Sequence, residues 1–375
     1  MSENEVTNIK GILKKLDFKI NMEETIQKTS FIFTSMYSLS QIKGLFDYFN
    51  DKKKTILFED SKLSNLFKKF LLNLRKKNNR GEKFKPKDFM EYLNKKNNKI
   101  FDFKEEKEPI VFLEYIIQEF NQRLNKKDHI LEKEITNQIN SKKVSVNDQK
   151  FDIYYDDFIK DHISIMSKLF YGIFHIKNKC LSCGEYEYYI YFNHIILDIN
   201  EYIKYKIKLD NSLTDYYLDD FIEFYFNDSA NEEIKIKCTK CKENKIIKCK
   251  KTIISFPENI IFSINWGKFE SRGLELEENK LSFEQNQIID LTKYSFNQII
   301  KDDIKYRLRS VINYPIITEN NKDNKDIKQF TTISRNLKNQ KIYSYQASGN
   351  EEKIDYFNKR NIVPFVLFYE KINNN

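Results

Sequence analysis

No cysteine precedes Cys180 in this chain of 375 residues, and only four histidines occur, at His129, His162, His175 and His194. The chain before Cys180 therefore has no thiol to act as a nucleophile, and few imidazoles remain for general-base work. Five cysteines in a chain this long do not make a disulfide scaffold. Eight glycines and five prolines exclude a collagen-like or low-complexity chain. No apolar run approaches the roughly 18 residues of a membrane span. The opening MSENEVTNIKG lacks the basic-then-apolar pattern of a secretion signal. The expectation is an intracellular protein, of cytoplasm or nucleus, with no membrane partner.

Aromatic residues are plentiful instead, with 31 Phe and 23 Tyr, and 40% of the chain is hydrophobic. That apolar area supports a real core and argues against wholesale disorder. The net charge is +9, from 64 basic and 55 acidic residues that are interspersed as on an ordinary solvated surface. Two clusters stand out, 75-RKKNNRGEKFKPK-87 and 235-KIKCTKCKENKIIKCKK-251. Either offers a surface to RNA phosphates or to an acidic partner.

The first third carries apolar residues at helical spacing, over 22–50, 61–77, 87–97 and 109–124. Pro109 suits a first helical turn. After about residue 165 the texture becomes alternating and rich in β-branched and aromatic residues. Strands are expected at 168–176, 186–199, 233–238, 246–256, 259–266, 306–314, 329–336, 341–346 and 363–371. The segments 139–149 and 317–328 read as flexible loops. Helices first and antiparallel sheet later make an α+β fold.

Cys180 and Cys183 form C-L-S-C, and Cys238 and Cys241 form C-T-K-C. Two C-x2-C knuckles on hairpin turns, brought together, supply four thiolates in a tetrahedron for one zinc ion. The alternatives are four buried free cysteines or a redox pair. A four-cysteine site has no open position for substrate, so the zinc it implies is structural. Cys249 is left over and reads as a packed thiol. Fifty-four residues separate Cys183 from Cys238, too many for a compact zinc ribbon. The pair reads as the tip of a long β extension that leaves a body and returns to it.

The run 169-LFYGIFHIKNKCLSCG-184 resembles the fingers of the ubiquitin-specific proteases, the large papain-like class of deubiquitinases. The passage 238-CTKCKENKIIKCKKTIISFPENIIFSINWGKF-269 resembles their second knuckle and following strands. Further on, 289-IDLTKY-294, 306-YRLRSVINY-314 and 365-FVLFYEK-371 resemble their palm motifs in order. Nearer the start, 29-TSFIFTSMYSLSQIKGLFDYF-49 resembles the nucleophile box, and 108-EPIVFLEYIIQEF-120 a helix of the thumb. The resemblance implies a papain-like cysteine-protease fold: a helical thumb over 1–165, zinc-tipped β fingers over 166–258 and an antiparallel β palm over 259–375.

It also implies where a catalytic triad would stand, and the residues there are wrong for one. Ser30 takes the nucleophile's place, Gln329 the histidine's and Gln346 the orienting acid's, with Thr25 where an oxyanion-stabilising Asn is usual. A second register, placing 13-LKKLDFKINM-22 on the nucleophile box, puts Ile20 at the nucleophile. Either way the helical third has no thiol. His175 and His194 read as residues of the finger strands, His129 and His162 as surface residues of the thumb. The family's glycine beside its histidine is missing too, since no glycine lies between Gly273 and Gly349. The resemblance thus implies a pseudo-deubiquitinase, not an enzyme, that acts as a scaffold for ubiquitin, a ubiquitin-like protein or a larger complex. An inactive family member within the spliceosome supplies a precedent, and a structural role in a ribonucleoprotein is the second reading. A live hydrolase with an unrecognised site is the third.

Overall fold

In a computed structural model the described residues are 29–54, 61–76, 89, 91–93, 107–146, 148–209, 215–226, 234–238, 240–267, 280–283, 288–296, 303–315, 329–337, 339–346, 351–355 and 362–372. Thr25, Ile20, the 317–328 segment and most of the expected 87–97 helix lie outside them.

The fold is built around one helix, α1 (Ser30–Ser40), buried at every position but Phe33. It has no side-chain cap and five Ser or Thr residues, which is poor helix chemistry. A cap contributes about 1 kcal/mol, whereas burying Phe31, Ile32, Met36 and Leu39 contributes about 1.5–3 kcal/mol each. Tertiary packing therefore decides. The hydroxyls that this burial removes from water turn back on the helix. Thr34 Oγ1 donates to the Ser30 carbonyl at 2.8 Å and Ser35 Oγ to that of Phe31 at 2.6 Å.

Around α1 pack α2 (Lys43–Asn50), α3 (Lys62–Lys76) and α4 (Pro109–Leu124), the last with its proline in the first turn. Phe49, Phe67 and Phe120 lock three of these helices, with ring centroids 4.5–5.6 Å apart. Next come α5 (His129–Val146), α6 (Gln149–Asp161) and α7 (Ile165–Phe170). The expected loop at 139–149 is instead the end of α5 and the start of α6. Nothing in INSKKVSV breaks a helix, and Asp148 caps α6 by accepting the Lys150 N–H at 2.9 Å. Lys143 of α5 reaches Asp156 of α6 at 2.6 Å.

The expected strand 168–176 also divides. Ser164 and Ser167 form a capping box that starts α7, which runs to Phe170, and β1 (Gly172–Cys180) begins two residues later. Gly172 is needed at that junction. A Cβ there would lie 2.3 Å from the Phe192 ring and 2.7 Å from the Ser255 carbonyl oxygen. The strand expected at 186–199 splits as well, into β2 (Gly184–Phe192) and β3 (Ile195–Asp198), parted by a bend at Asn193–His194.

Two sheets carry the rest. The finger sheet has four strands in the order β2-β1-β6-β5, with β5 at Ile234–Lys237 and β6 at Asn244–Ser255. The palm sheet has eight. From β13 (Glu351–Ile354) it passes through β12 (Ile342–Gln346), β11 (Thr331–Arg335), β10 (Lys305–Pro315), β14 (Ile362–Lys371) and β7 (Asn259–Asn265) to β3, with β9 (Ile288–Asp290) beside β10. All its pairs are antiparallel except β3 with β7. The span 166–258 is therefore not fingers throughout, because β3 leaves for the palm edge. Two helices, α8 (Ile199–Leu209) and α9 (Leu218–Phe226), follow β3. Among the described residues there is also a small parallel pair, β4 (Asp215–Tyr217) with β8 (Lys280–Ser282).

The helical layer and the palm meet along α1. Tyr37 stacks on Tyr345 of β12 at 4.1 Å, Ser38 Oγ bonds Ser310 Oγ of β10 at 2.9 Å, and Thr332 Oγ1 of β11 donates to the Thr34 carbonyl at 3.1 Å.

Candidate functional site

The finger strands end in the two knuckles. Cys180 closes β1 and Cys183 sits in the turn to β2; Cys238 follows β5 and Cys241 precedes β6. Since β1 and β6 are neighbours in the sheet, the two hairpin turns lie side by side. Each knuckle is followed by a left-handed residue, Gly184 (φ 81°) and Lys242 (φ 62°), which turns the chain back into its strand. Lys242 N–H donates to the Cys238 carbonyl at 2.8 Å, and Cys241 N–H points at Cys238 Sγ at 3.5 Å.

All four sulfurs lie within 4.8 Å of one another, with Cys180–Cys241 at 3.8 Å and Cys183–Cys238 at 3.6 Å. A disulfide needs about 2.05 Å, so these are not disulfides. A tetrahedron with metal–sulfur bonds of about 2.3 Å has edges of about 3.8 Å. The donor set and its spacing fit a zinc ion, and with sulfur at all four corners the site is closed. Backbone N–H groups prepare the first sulfur of each knuckle. The Cys183 and Ser182 amides hold Cys180 below the ordinary thiol range, and the Cys241 amide lowers Cys238 to about 6. Burial pushes Cys183 up to about 12. Cys249 stands opposite Asn178 in the β1–β6 register, and its side chain lies outside the described residues.

Of the residues expected at triad positions, Ser30 and Gln329 lie near the start of α1, and Gln346 lies on β12. Ser30 is the first residue of the helix, 0% exposed, and its Oγ accepts the Phe330 N–H at 3.0 Å. Gln329 is the neighbour of that donor and is 9% exposed. Gln346 ends β12 opposite Thr331 and is exposed. The structure thus brings Ser30 against the 329–330 segment, 300 residues away in sequence. The Phe330 amide in this contact gave no signal in the sequence, because any residue but proline supplies an N–H.

The histidines lie elsewhere. His129 opens α5 and is exposed. His162 is not a surface residue as expected: it is half-buried after α6, stacked on Phe158 at 4.4 Å, with Nδ1 bonded to the Phe158 carbonyl at 2.8 Å. His175 is buried in β1, with Nε2 3.0 Å from Glu187. His194 lies in the β2–β3 bend rather than in a strand, bonded to the Asn193 side chain at 2.7 Å. Burial holds both His162 and His194 below the ordinary histidine value of 6.5. A depressed base binds its proton more readily in the unfolded chain. Stability from these two groups is therefore present above pH 6.5 and lost as pH falls from 6.5 towards their folded values. The unfolding free energy from urea titrations is expected to drop between pH 7.5 and pH 5, by at most about 1.4 kcal/mol per pH unit for each histidine. His162→Phe, which keeps the stack, should flatten the slope; an unchanged slope contradicts the assignment.

No helix among the described residues is long and apolar enough to cross a membrane. The basic run 75–87 lies almost wholly outside the described residues.

Solved structures share this architecture. A SAGA DUB module of Ubp8, Sgf11, Sus1 and Sgf73 bound to monoubiquitin aligns with a TM-score of 0.58 at 11% identity, covering 93% of this chain and 68% of that one. The same module bound to ubiquitin aldehyde aligns with a TM-score of 0.58 at 11% identity, over 93% and 69%. A yeast SAGA DUB module carrying a variant Sgf73 gives 0.56 at 14% identity, over 93% and 67%. At such identities the likeness establishes a papain-like α+β fold. No curated protein matches the chain by sequence. Residues 24–322 match the family model of the ubiquitin carboxyl-terminal hydrolases, a span that ends before Gln329. That match covers well over half of the sequence, and with the hand-like fold it establishes that the chain belongs to the ubiquitin carboxyl-terminal hydrolase family, as a member of the ubiquitin-specific protease type.

Proposed function

We propose that this chain is a catalytically silent ubiquitin-specific-protease domain that works by binding, with ubiquitin as its first partner and one structural zinc at Cys180, Cys183, Cys238 and Cys241. One observation carries the reading. Where a working member holds its nucleophile, the oxygen of Ser30 is buried and accepts the Phe330 N–H. No imidazole stands at the neighbouring position, which is Gln329. A serine hydroxyl without a base is a poor nucleophile, and an amide takes no proton at neutral pH.

What supports binding is a body that keeps its shape. The related modules are bound to monoubiquitin and ubiquitin aldehyde. On the finger edge strand β2, Tyr188 and Ile190 are 37% and 44% exposed, and the Tyr186 and Tyr188 rings lie parallel 6.3 Å apart. Exposed tyrosines of this kind are common anchors of protein interfaces. The ribonucleoprotein reading gains no support from the relatives or from the described residues.

Titration of the full chain with ubiquitin is expected to saturate with a dissociation constant below about 1 mM. Tyr188→Ala is expected to weaken it about tenfold. No saturation by millimolar ubiquitin would remove ubiquitin as the partner and leave a scaffold role. In the same samples a fluorogenic ubiquitin substrate should give no turnover above background. Turnover abolished by Ser30→Ala would overturn the silent assignment.

A further inference from the structure

The palm sheet carries a second cluster that the proposed binding role does not use. Leu308 of β10 pairs with Tyr369 of β14, and Ser310 with Phe368, so Arg309 is passed over in the register. A residue bulged out of a ladder has its side chain re-aimed. Arg309 swings to Glu370, to which its Nε donates at 3.0 Å and its Nη2 also donates. Its Nη1 is shut off from solvent and has no partner among the described residues. A buried guanidinium N–H without an acceptor is costly, and such groups are rare in folded proteins.

Two further arginines converge on the same place. Arg307 is exposed and lies opposite the same Glu370 in the β10–β14 register. Arg335 ends β11, just beyond the Ser310–Ser334 pair, and donates Nη1–H to the Gln340 carbonyl at 3.2 Å. Burial first, and then the charges of Arg309 and Arg307, hold the Arg335 guanidinium below its ordinary range. Like charges on adjacent strands are destabilising unless something anionic sits among them. One carboxylate, Glu370, already occupies the Nε–Nη2 edge of Arg309.

We propose that Arg307, Arg309 and Arg335 form a binding site for a phosphomonoester, on the palm sheet near the outer end of β10. A carboxylate offers two oxygens in one plane, and Glu370 already plays that part. A phosphomonoester offers three terminal oxygens and a charge of about −1.5 to −2 at pH 7, enough to meet Arg309 Nη1 and the Arg307 fork together. Arginine suits this task because its planar fork binds phosphate in pairs of hydrogen bonds. The phosphoryl group belongs to a phosphoserine or phosphothreonine of a protein segment, or to a free phosphate.

The test is calorimetric titration of the full chain with a short phosphoserine peptide, the same peptide unphosphorylated, inorganic phosphate and a single-stranded oligonucleotide. The phosphopeptide is expected to bind at least tenfold tighter than its unphosphorylated form. Binding should weaken as pH falls through about 6, where the phosphoryl group takes its second proton. Arg307→Gln, at an exposed position, should cost tenfold or more without moving the melting temperature. Arg309→Gln should cost more, and Arg309→Lys should restore only part, since a point charge does not replace the fork. Inorganic phosphate binding as tightly as the peptide would support the site and name the free ion as its ligand. Equal binding of both peptides, no loss in a folded Arg307→Gln variant, or an oligonucleotide that binds tightest and falls steeply with salt would overturn it.

Discussion

Cys180→Ser, or prolonged dialysis against a strong chelator, is expected to unfasten the finger tip and cost the protein several kcal/mol of stability. The reason lies in what surrounds the four sulfurs. Cys180 and Cys238 are 2% and 0% exposed, yet among the described residues they form a small cluster apart from the main core, with Cys183, Tyr186 and Cys241 packed against them. Among the described residues no larger apolar cluster joins these sulfurs at the tip. On one side the tip is closed by a four-residue strand, β5, which among the described residues pairs only with β6. Structural zinc in small domains contributes about 10–16 kcal/mol of apparent binding energy at pH 7, and that energy is folding energy. Here only the tip depends on it, so the global loss is a fraction of that figure. Hydrogen exchange should speed up in β5 and in the β1–β2 turn long before the palm strands respond. Metal analysis should find about one zinc per chain. A metal-free purified protein whose melting curve ignores the chelator would remove the zinc centre.

That centre was legible in the sequence because each knuckle is local: two cysteines three apart, on a turn, whatever the distance to the next pair. The palm strands β10 and β14 were legible for a similar reason, since alternation and β-branched residues speak for themselves over ten residues. Other features depend on partners the sequence does not name. The end of α5 reads as a loop because its residues are polar, and only its packing on α6 reveals a helix. Nothing in Ile195–Asp198 says that β3 leaves the fingers to lie parallel to β7. The α7–β1 break hides inside a run that alternates like a strand, and the capping serines that give it away sit just before that run. At the expected triad positions the sequence names the residue types, and the structure adds that Ser30 is buried and bonded to a backbone amide. The bulge that re-aims Arg309 has no sequence signature at all.

Placing a thiol and an imidazole at the two proposed triad positions, with Ser30→Cys and Gln329→His together, is expected to leave ubiquitin hydrolysis at background. In working triads the loss of one member costs about as much as the loss of all, on the order of a millionfold in kcat, so a partial repair recovers little. Three features of this chain stand against recovery even with both groups present. Ser30, the proposed nucleophile position, is 0% exposed, and its oxygen already accepts the Phe330 N–H, so a thiol placed there competes for a buried backbone donor instead of facing a substrate. The group proposed to orient the new imidazole is Gln346, an exposed neutral amide at the end of β12, which brings no charge to stabilise an imidazolium. No glycine lies between Gly273 and Gly349, so the approach that a slim ubiquitin tail needs beside the histidine is not provided by the backbone there. A propargylated ubiquitin probe separates these contributions. Covalent capture without turnover would mean that the thiol is reachable and that orientation and the substrate channel are what is missing. Neither capture nor turnover would place the whole block at the burial of position 30. Efficient hydrolysis by the double variant would show that the substrate channel and the orienting group were intact all along, and that two substitutions alone had silenced the domain.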